Sequence, residues 1–148
     1  MRFFKLFFSL CFCVLVCLLV FSVKPSKAGV QSGISSMSIA GFDPQTGEVG
    51  IAMASRFFAV APIAVHVRAG VAAVATMGGS PYKDANEMLD WLEQGLAPED
   101  VVKRLRDRYG DEWGGGQINI VDVQGRSISV TGTESMWKGH RYGKNYAA

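Results

Sequence analysis

Asp43-Pro44-Gln45-Thr46-Gly47 stands between two runs of small and apolar residues, Ser36–Phe42 and Val49–Ser55. It constrains the fold more than any other stretch. Asp bonds its own backbone two residues on, Pro presets φ, and Gly accepts a positive φ. The segment therefore predicts a β-hairpin. After the turn, Val49, Ile51 and Met53 point one way, while Gly50, Ala52 and Ala54 point the other. A face of small residues predicts close approach of a second sheet or of a ligand.

Further along, Ile63, Val65 and Val67 alternate with Ala64, His66 and Arg68, the period of a half-buried strand. Val71–Thr76 is a short apolar strand, and Met77-Gly78-Gly79-Ser80-Pro81 is a loop. Two helices follow. Ala85, Met88, Leu89 and Leu92 form one apolar stripe, which Gly95 ends. Pro98, Glu99 and Asp100 suit the first turn of the second helix, and Val101, Val102 and Leu105 face inward. Lys103, Arg104, Arg106 and Arg108 are expected on a solvated face. Glycines 114–116 break the helical region. Residues 118–123 and 127–131 form a second hairpin around Gln124-Gly125. The tail from Trp137 to Tyr146 is glycine-rich, aromatic and basic.

The first 28 residues read as a leader. Arg2 and Lys5 precede an apolar run from Leu6 to Val23, and Ser26-Lys27-Ala28 offers small residues for cleavage. Cleavage after Ala28 would leave a mature chain of 120 residues, with residues 29–35 as a linker and 36–148 as one domain. An uncleaved leader would attach the protein to a membrane, because the run approaches the ~18–20 residues a span requires. Lys24 and Lys27 on the far side oppose that orientation.

All three cysteines lie in the leader, so the mature chain has no disulfide, thiolate metal site or cysteine nucleophile. The formal +2 charge is also a leader effect. Without Arg2, Lys5, Lys24 and Lys27, 11 basic residues face 13 acidic ones, a net −2. Nucleic-acid binding is not expected. His66 and His140 lie in separate segments without a carboxylate motif at metal spacing, so no metal or other cofactor is expected. His66 reads as a strand histidine. His140, beside aromatic residues, reads as a surface loop residue or a stacking position.

Several motifs carry a resemblance. Ser38-Ile39-Ala40, the Asp43–Gly47 turn, Ala54-Ser55-Arg56-Phe57-Phe58, Arg68-Ala69-Gly70, Gly95-Leu96-Ala97-Pro98-Glu99 and Gly139…Gly143-Lys144-Asn145-Tyr146-Ala147 follow in order. Together they resemble the family catalogued as domain of unknown function 1028, from Ser36 to the C-terminus. The resemblance implies an α+β fold of the N-terminal-nucleophile (Ntn) hydrolase type, an αββα sandwich of antiparallel sheets, in a secreted or periplasmic protein. Two features depart from the family pattern. Ser36 stands where the family usually has Thr, and family members run on past the point where this chain stops. The expectation is therefore a partial, C-terminally truncated sandwich, whose uncovered sheet favours homo-oligomers.

The resemblance also implies a chemistry. In an Ntn hydrolase the first residue of a processed chain is the nucleophile, and its own α-amine is the base. That amine titrates at roughly 7.7–8.0, near working pH. Ser36 is the first candidate, with Ser38 second. Gly78, Gly79 and Ser80 could supply backbone donors to an oxyanion, and Arg56 could bind a carboxylate in two-pronged fashion. The substrate would be a small molecule or peptide bearing an amide. Against this, cleavage after Ala28 leaves seven residues ahead of Ser36. The acid and lysine that proteasome-type enzymes carry have no counterpart in Ala52–Arg56 or Val60–Ile63. A non-catalytic binding or assembly module, and a non-functional fragment, remain open alternatives.

Overall fold

The computed structural model describes residues 36–110, 115–134 and 139–148. The leader and linker expectations fall on residues 1–35, outside that range. The described part is α+β, with two four-stranded antiparallel sheets. The first sheet begins with β1 (Ser36–Phe42) and β2 (Val49–Ser55). Their register pairs Phe42 with Val49 and Ser36 with Ser55. The turn closes as its residues predict: Gln45 N–H donates to Asp43 Oδ1 at 2.8 Å, and Gly47 N–H to Asp43 O at 2.8 Å.

A short helix, α1 (Ala61–Ala64), leads directly into β3 (Val65–Arg68). The alternation from Ile63 predicts strand at its first two residues, and the structure corrects that. Pro62 sits in the first turn of α1 with φ preset and no N–H to lose. The chain then reverses into β4 (Ala72–Met77). After a single 3₁₀ turn (Tyr82–Asp84) come α2 (Ala85–Glu93) and α3 (Pro98–Tyr109), followed by β5 (Gln117–Asp122) and β6 (Ser127–Thr131). The second sheet has the order β3-β4-β5-β6.

Both helices pack on one face of that second sheet. Met88, Leu89, Leu92, Val101, Val102 and Leu105 are buried against Val74, Ile118, Ile120 and Ile128. Each fully buried side chain of this kind contributes roughly 1.5–3 kcal/mol. Gly95, at φ +92°, ends α2 in a conformation a Cβ disfavours, and Leu96 N–H caps Trp91 O. The second helix ends at Gly110, ahead of the glycines 114–116 expected to break it.

The cationic face of α3 is more than solvated charge. Arg104 and Arg108 lie over the Trp91 ring of α2, 5.1 and 5.4 Å from its centroid. Arg108 also forms a two-pronged pair with Glu87, at 2.6 and 2.9 Å. Asp84, at the N-terminus of α2, makes no capping bond. It accepts instead from Tyr109 Oη at 2.5 Å and Arg108 Nη1 at 3.3 Å.

The other face of the second sheet meets β1, where Ala40 packs with Ala73 and Val121. The tail adds two short strands that sequence periodicity does not reveal, β7 (Tyr142–Gly143) and β8 (Tyr146–Ala147). They complete the first sheet in the order β2-β1-β8-β7. β6 anchors them: Ser127 Oγ donates to Gly143 O at 2.6 Å, and Ser129 Oγ lies 3.0 Å from Ala148 O.

Parity along β1 and β2 decides what faces outward. Ser38 and Ala40 point in, toward the second sheet; Met37 and Ile39 point out, 66% and 47% exposed. Register places the small residues Ala54 and Ala52 beside Met37 and Ile39, also exposed. The small-residue face, expected against another layer or a ligand, is thus uncovered by any described residue. Val49, Ile51 and Met53 are the ones turned inward.

Candidate functional site

The inner face of the sandwich changes character along its length. Near Ala40, Ala73, Val121 and Ala147 it is apolar and closed. Two residues along, it becomes polar. Asn119 Nδ2 donates to Ser38 Oγ at 2.8 Å across the two sheets. Ser129 Oγ donates to Asn119 Oδ1. All three are buried, and their mutual bonds offset the cost of burying polar groups.

Two residues further again lie Ser36 on β1 and Gln117 on β5. Gln117 pairs in register with Met77 on one side and Thr131 on the other. Side chains at i and i+2 share a face. Ser38 meets Asn119 and Ala40 meets Val121, so β1 and β5 run in the same direction. Their starts therefore lie at one end of the sandwich. Ser55 joins Ser36 there by register, and Met77 leads into the glycine loop.

At this end Ser36 Oγ lies 2.8 Å from Ser55 Oγ. Phe57 N–H donates to Ser55 Oγ at 3.0 Å, so the pair is fixed from the turn side as well. Ser36 is half-buried. Arg56 follows Ser55 in an exposed bend, next to Phe57 and Phe58; Phe58 is 93% exposed. Gly78 and Gly79 are exposed. Ser80 is 3% exposed, and its Oγ has no hydrogen-bond partner. The loop is pressed against Gly116, where a Cβ would overlap Ser80 N.

Of a second polar group at the same end, the sequence singled out only His140, as a surface loop residue or a stacking position, and not Gln117 or Thr131. Gln117 Nε2 donates to Thr131 Oγ1 at 3.0 Å and to Gly139 O at 2.8 Å. Thr131 Oγ1 lies 3.0 Å from His140 Nδ1. Only the parity of Gln117 and Thr131 with the inner face hints at this in the sequence. The return of His140 depends on the connection after β6.

The other flagged residues have structural partners. Ser38 belongs to the buried chain with Asn119. His66 Nε2–H donates to Ile63 O at 3.0 Å. Arg68 joins Asp90 and Glu93 of α2, each at 2.7 Å. Among the described residues no group of three His, Cys, Asp or Glu side chains gathers to hold a metal. None of the described helices is long and apolar enough to cross a membrane.

Comparison with known proteins gives a family and a fold relative. A family of unknown function (DUF1028) matches residues 36–148. The crystal structure of protein SPO2555 from Silicibacter pomeroyi, itself described under DUF1028, is similar with a TM-score of 0.69 and 25% identity. The match covers 77% of this chain and 51% of that one, so this chain spans about half the length of that relative. No curated protein matches.

Proposed function

This chain belongs to the family of unknown function DUF1028, and from that premise we propose that it is an exported Ntn-type amidohydrolase acting on small amides or peptides. The observation that carries the reading is the Ser36–Ser55 hydroxyl pair at 2.8 Å, at the start of the first strand of a two-sheet antiparallel sandwich. A hydroxyl there is half-buried, fixed in direction and next to a bend that a substrate can reach.

The reaction requires cleavage of the Ser35–Ser36 bond. The freed α-amine of Ser36 then takes the proton of Ser36 Oγ as that oxygen adds to the amide carbon. The leaving amine departs with the proton, and water releases the acid from the acyl-serine. The Gly78-Gly79 backbone is the candidate partner for the developing oxyanion. The apolar leader supports export. Mass spectrometry of the protein purified from its own compartment tests the requirement. A chain beginning at Ser36, and adduct formation by an electrophilic β-lactone at Ser36, are the expected results. A chain beginning at Gly29 with no adduct overturns the reading.

A second reading, a non-catalytic assembly module, is favoured by one observation: Met37 and Ile39 project outward from β1 over a face of small residues. A protein that assembles through this face and leaves the β-lactone unreacted would support it.

A further inference from the structure

An imidazole lies beside the last residue of β6. His140 Nδ1 lies 3.0 Å from Thr131 Oγ1. One side chain fixes both partners. Gln117 Nε2 carries two hydrogens; one goes to Thr131 Oγ1 at 3.0 Å, the other to the backbone O of Gly139, next to His140. A single amide thus holds the hydroxyl and the backbone next to the ring. In the Nε2–H tautomer Nδ1 accepts the Thr131 proton, while Gln117 occupies a lone pair of Oγ1. Thr131 is half-buried and His140 exposed, so the pair can be reached from solvent.

A hydroxyl, a base within hydrogen-bond reach and a third group that orients them is the arrangement nucleophilic catalysis requires. We propose that Thr131 and His140 form an acyl-transfer pair for small activated carboxylic esters, with Gln117 as the positioning residue. The assignment is independent of Ser36 and needs no free α-amine, so it operates whether or not the chain is processed. Activated esters are the substrate class because their leaving groups depart with the least stabilisation of the developing oxyanion.

The step is simple in its atoms. Thr131 Oγ1 bonds to the acyl carbon as its proton passes to His140 Nδ1. The ester C–O bond breaks, and the alcohol or phenol leaves with that proton. Water then adds to the acyl-threonine while giving a proton to Nδ1. The carboxylic acid departs, and Oγ1 takes the proton back.

The test uses the full chain with p-nitrophenyl acetate, following phenolate release and mapping the acetyl group after acid quench. Acetyl is expected on Thr131. Thr131→Ala should abolish that adduct, and Thr131→Ser should keep it at the same position, which separates lost chemistry from lost folding. His140→Ala should slow acylation roughly 10²-fold, the scale of a removed general base, and added imidazole should restore it. Gln117→Ala should lower kcat per active site, counted from the phenolate burst, and leave KM unchanged, which a mere loss of folded molecules would not produce. Acetyl found only on lysines or on Ser36, or acylation of Thr131 undiminished in His140→Ala, overturns the assignment. An adduct on Ser36 alone would leave the amidohydrolase reading standing while removing this one.

Discussion

Asn119 on β5 and Ser38 on β1 are joined across the two sheets by a 2.8 Å hydrogen bond. That bond fixes which end of β1 lies over which end of β5, and so places Ser36 at the end that holds Gln117 and Thr131. Ser38→Ala should leave the Asn119 amide buried with one donor unpaired. The expected loss is about 1–3 kcal/mol in urea unfolding. Replacing Ser38 without a drop in stability would show that the amide finds another acceptor.

Ser55 is predicted to govern how Ser36 reacts. Its Oγ accepts from Phe57 N–H and is hydrogen-bonded to Ser36 Oγ. Ser55→Ala removes a bond of about 0.5–1.5 kcal/mol, and 1.36 kcal/mol corresponds to about tenfold in rate. β-Lactone labelling of Ser36 should therefore slow by up to about tenfold, with the site unchanged. An unaltered labelling rate would mean that the Ser36–Ser55 contact does not orient the nucleophile.

Local chemistry explains why some of this was legible in the sequence. The hairpins at residues 43–47 and 124–125 rest on turn residues a few positions apart, and the helices on stripes such as Met88, Leu89 and Leu92. These signals act within one element. The strands β7 and β8 have two residues each, too few to show a period, and they form because the free side of β1 and the serines of β6 receive them. At Ile63 and Ala64 two residues are too few to separate a helical period from a strand period, and Pro62 suits the first turn of the helix that forms there. Ser36 is singled out through the family resemblance, which makes the first residue of the first strand a candidate nucleophile. The Gln117–Thr131–His140 group could not be picked out, because strand pairing and a nine-residue separation bring it together.

The outward face of β1 and β2 predicts behaviour in solution. Met37 and Ile39 stand exposed beside Ala52 and Ala54, and an exposed apolar sheet face recruits other surfaces. Residues 29–148 should self-associate with rising concentration in sedimentation velocity and bind a hydrophobic dye. Ile39→Lys should reduce both, since its side chain projects from the sheet. A monomeric, dye-silent protein at all concentrations would contradict this.

The Glu87–Arg108 pair predicts a pH dependence. The Arg108 hydrogen bonds hold the Glu87 carboxyl below its ordinary value of 4.5. A carboxyl with a lowered folded-state pKa binds protons more weakly folded than unfolded. Its contribution is therefore full above the ordinary glutamate value and declines as pH falls through the folded-state value. Both side chains are exposed to water, so the effect is small and weakens with salt. Glu87→Gln should melt slightly lower than the parent at pH 7 in low salt, and the gap should close on acidification. A gap that widens toward acid would reverse the sign assigned to the pair.

Gly116 controls the loop at the candidate site. It lies where β5 begins, and a Cβ there would overlap the backbone N of Ser80. The obstacle is main chain, which cannot rotate aside as a side chain would. Gly132 N–H also donates to Gly116 O at 2.7 Å, so Gly116 is held from its other side. Gly116→Ala must therefore displace the Met77–Ser80 loop, the start of β5, or both. The first outcome predicts impaired β-lactone reaction at Ser36 with a nearly unchanged melting temperature. The second predicts weakened Thr131 acylation as well, because Gln117 follows directly. Amide hydrogen exchange on residues 77–80 distinguishes them. Exchange and both labelling rates equal to those of the parent would show that the close packing of Gly116 against Ser80 does not hold this loop in place.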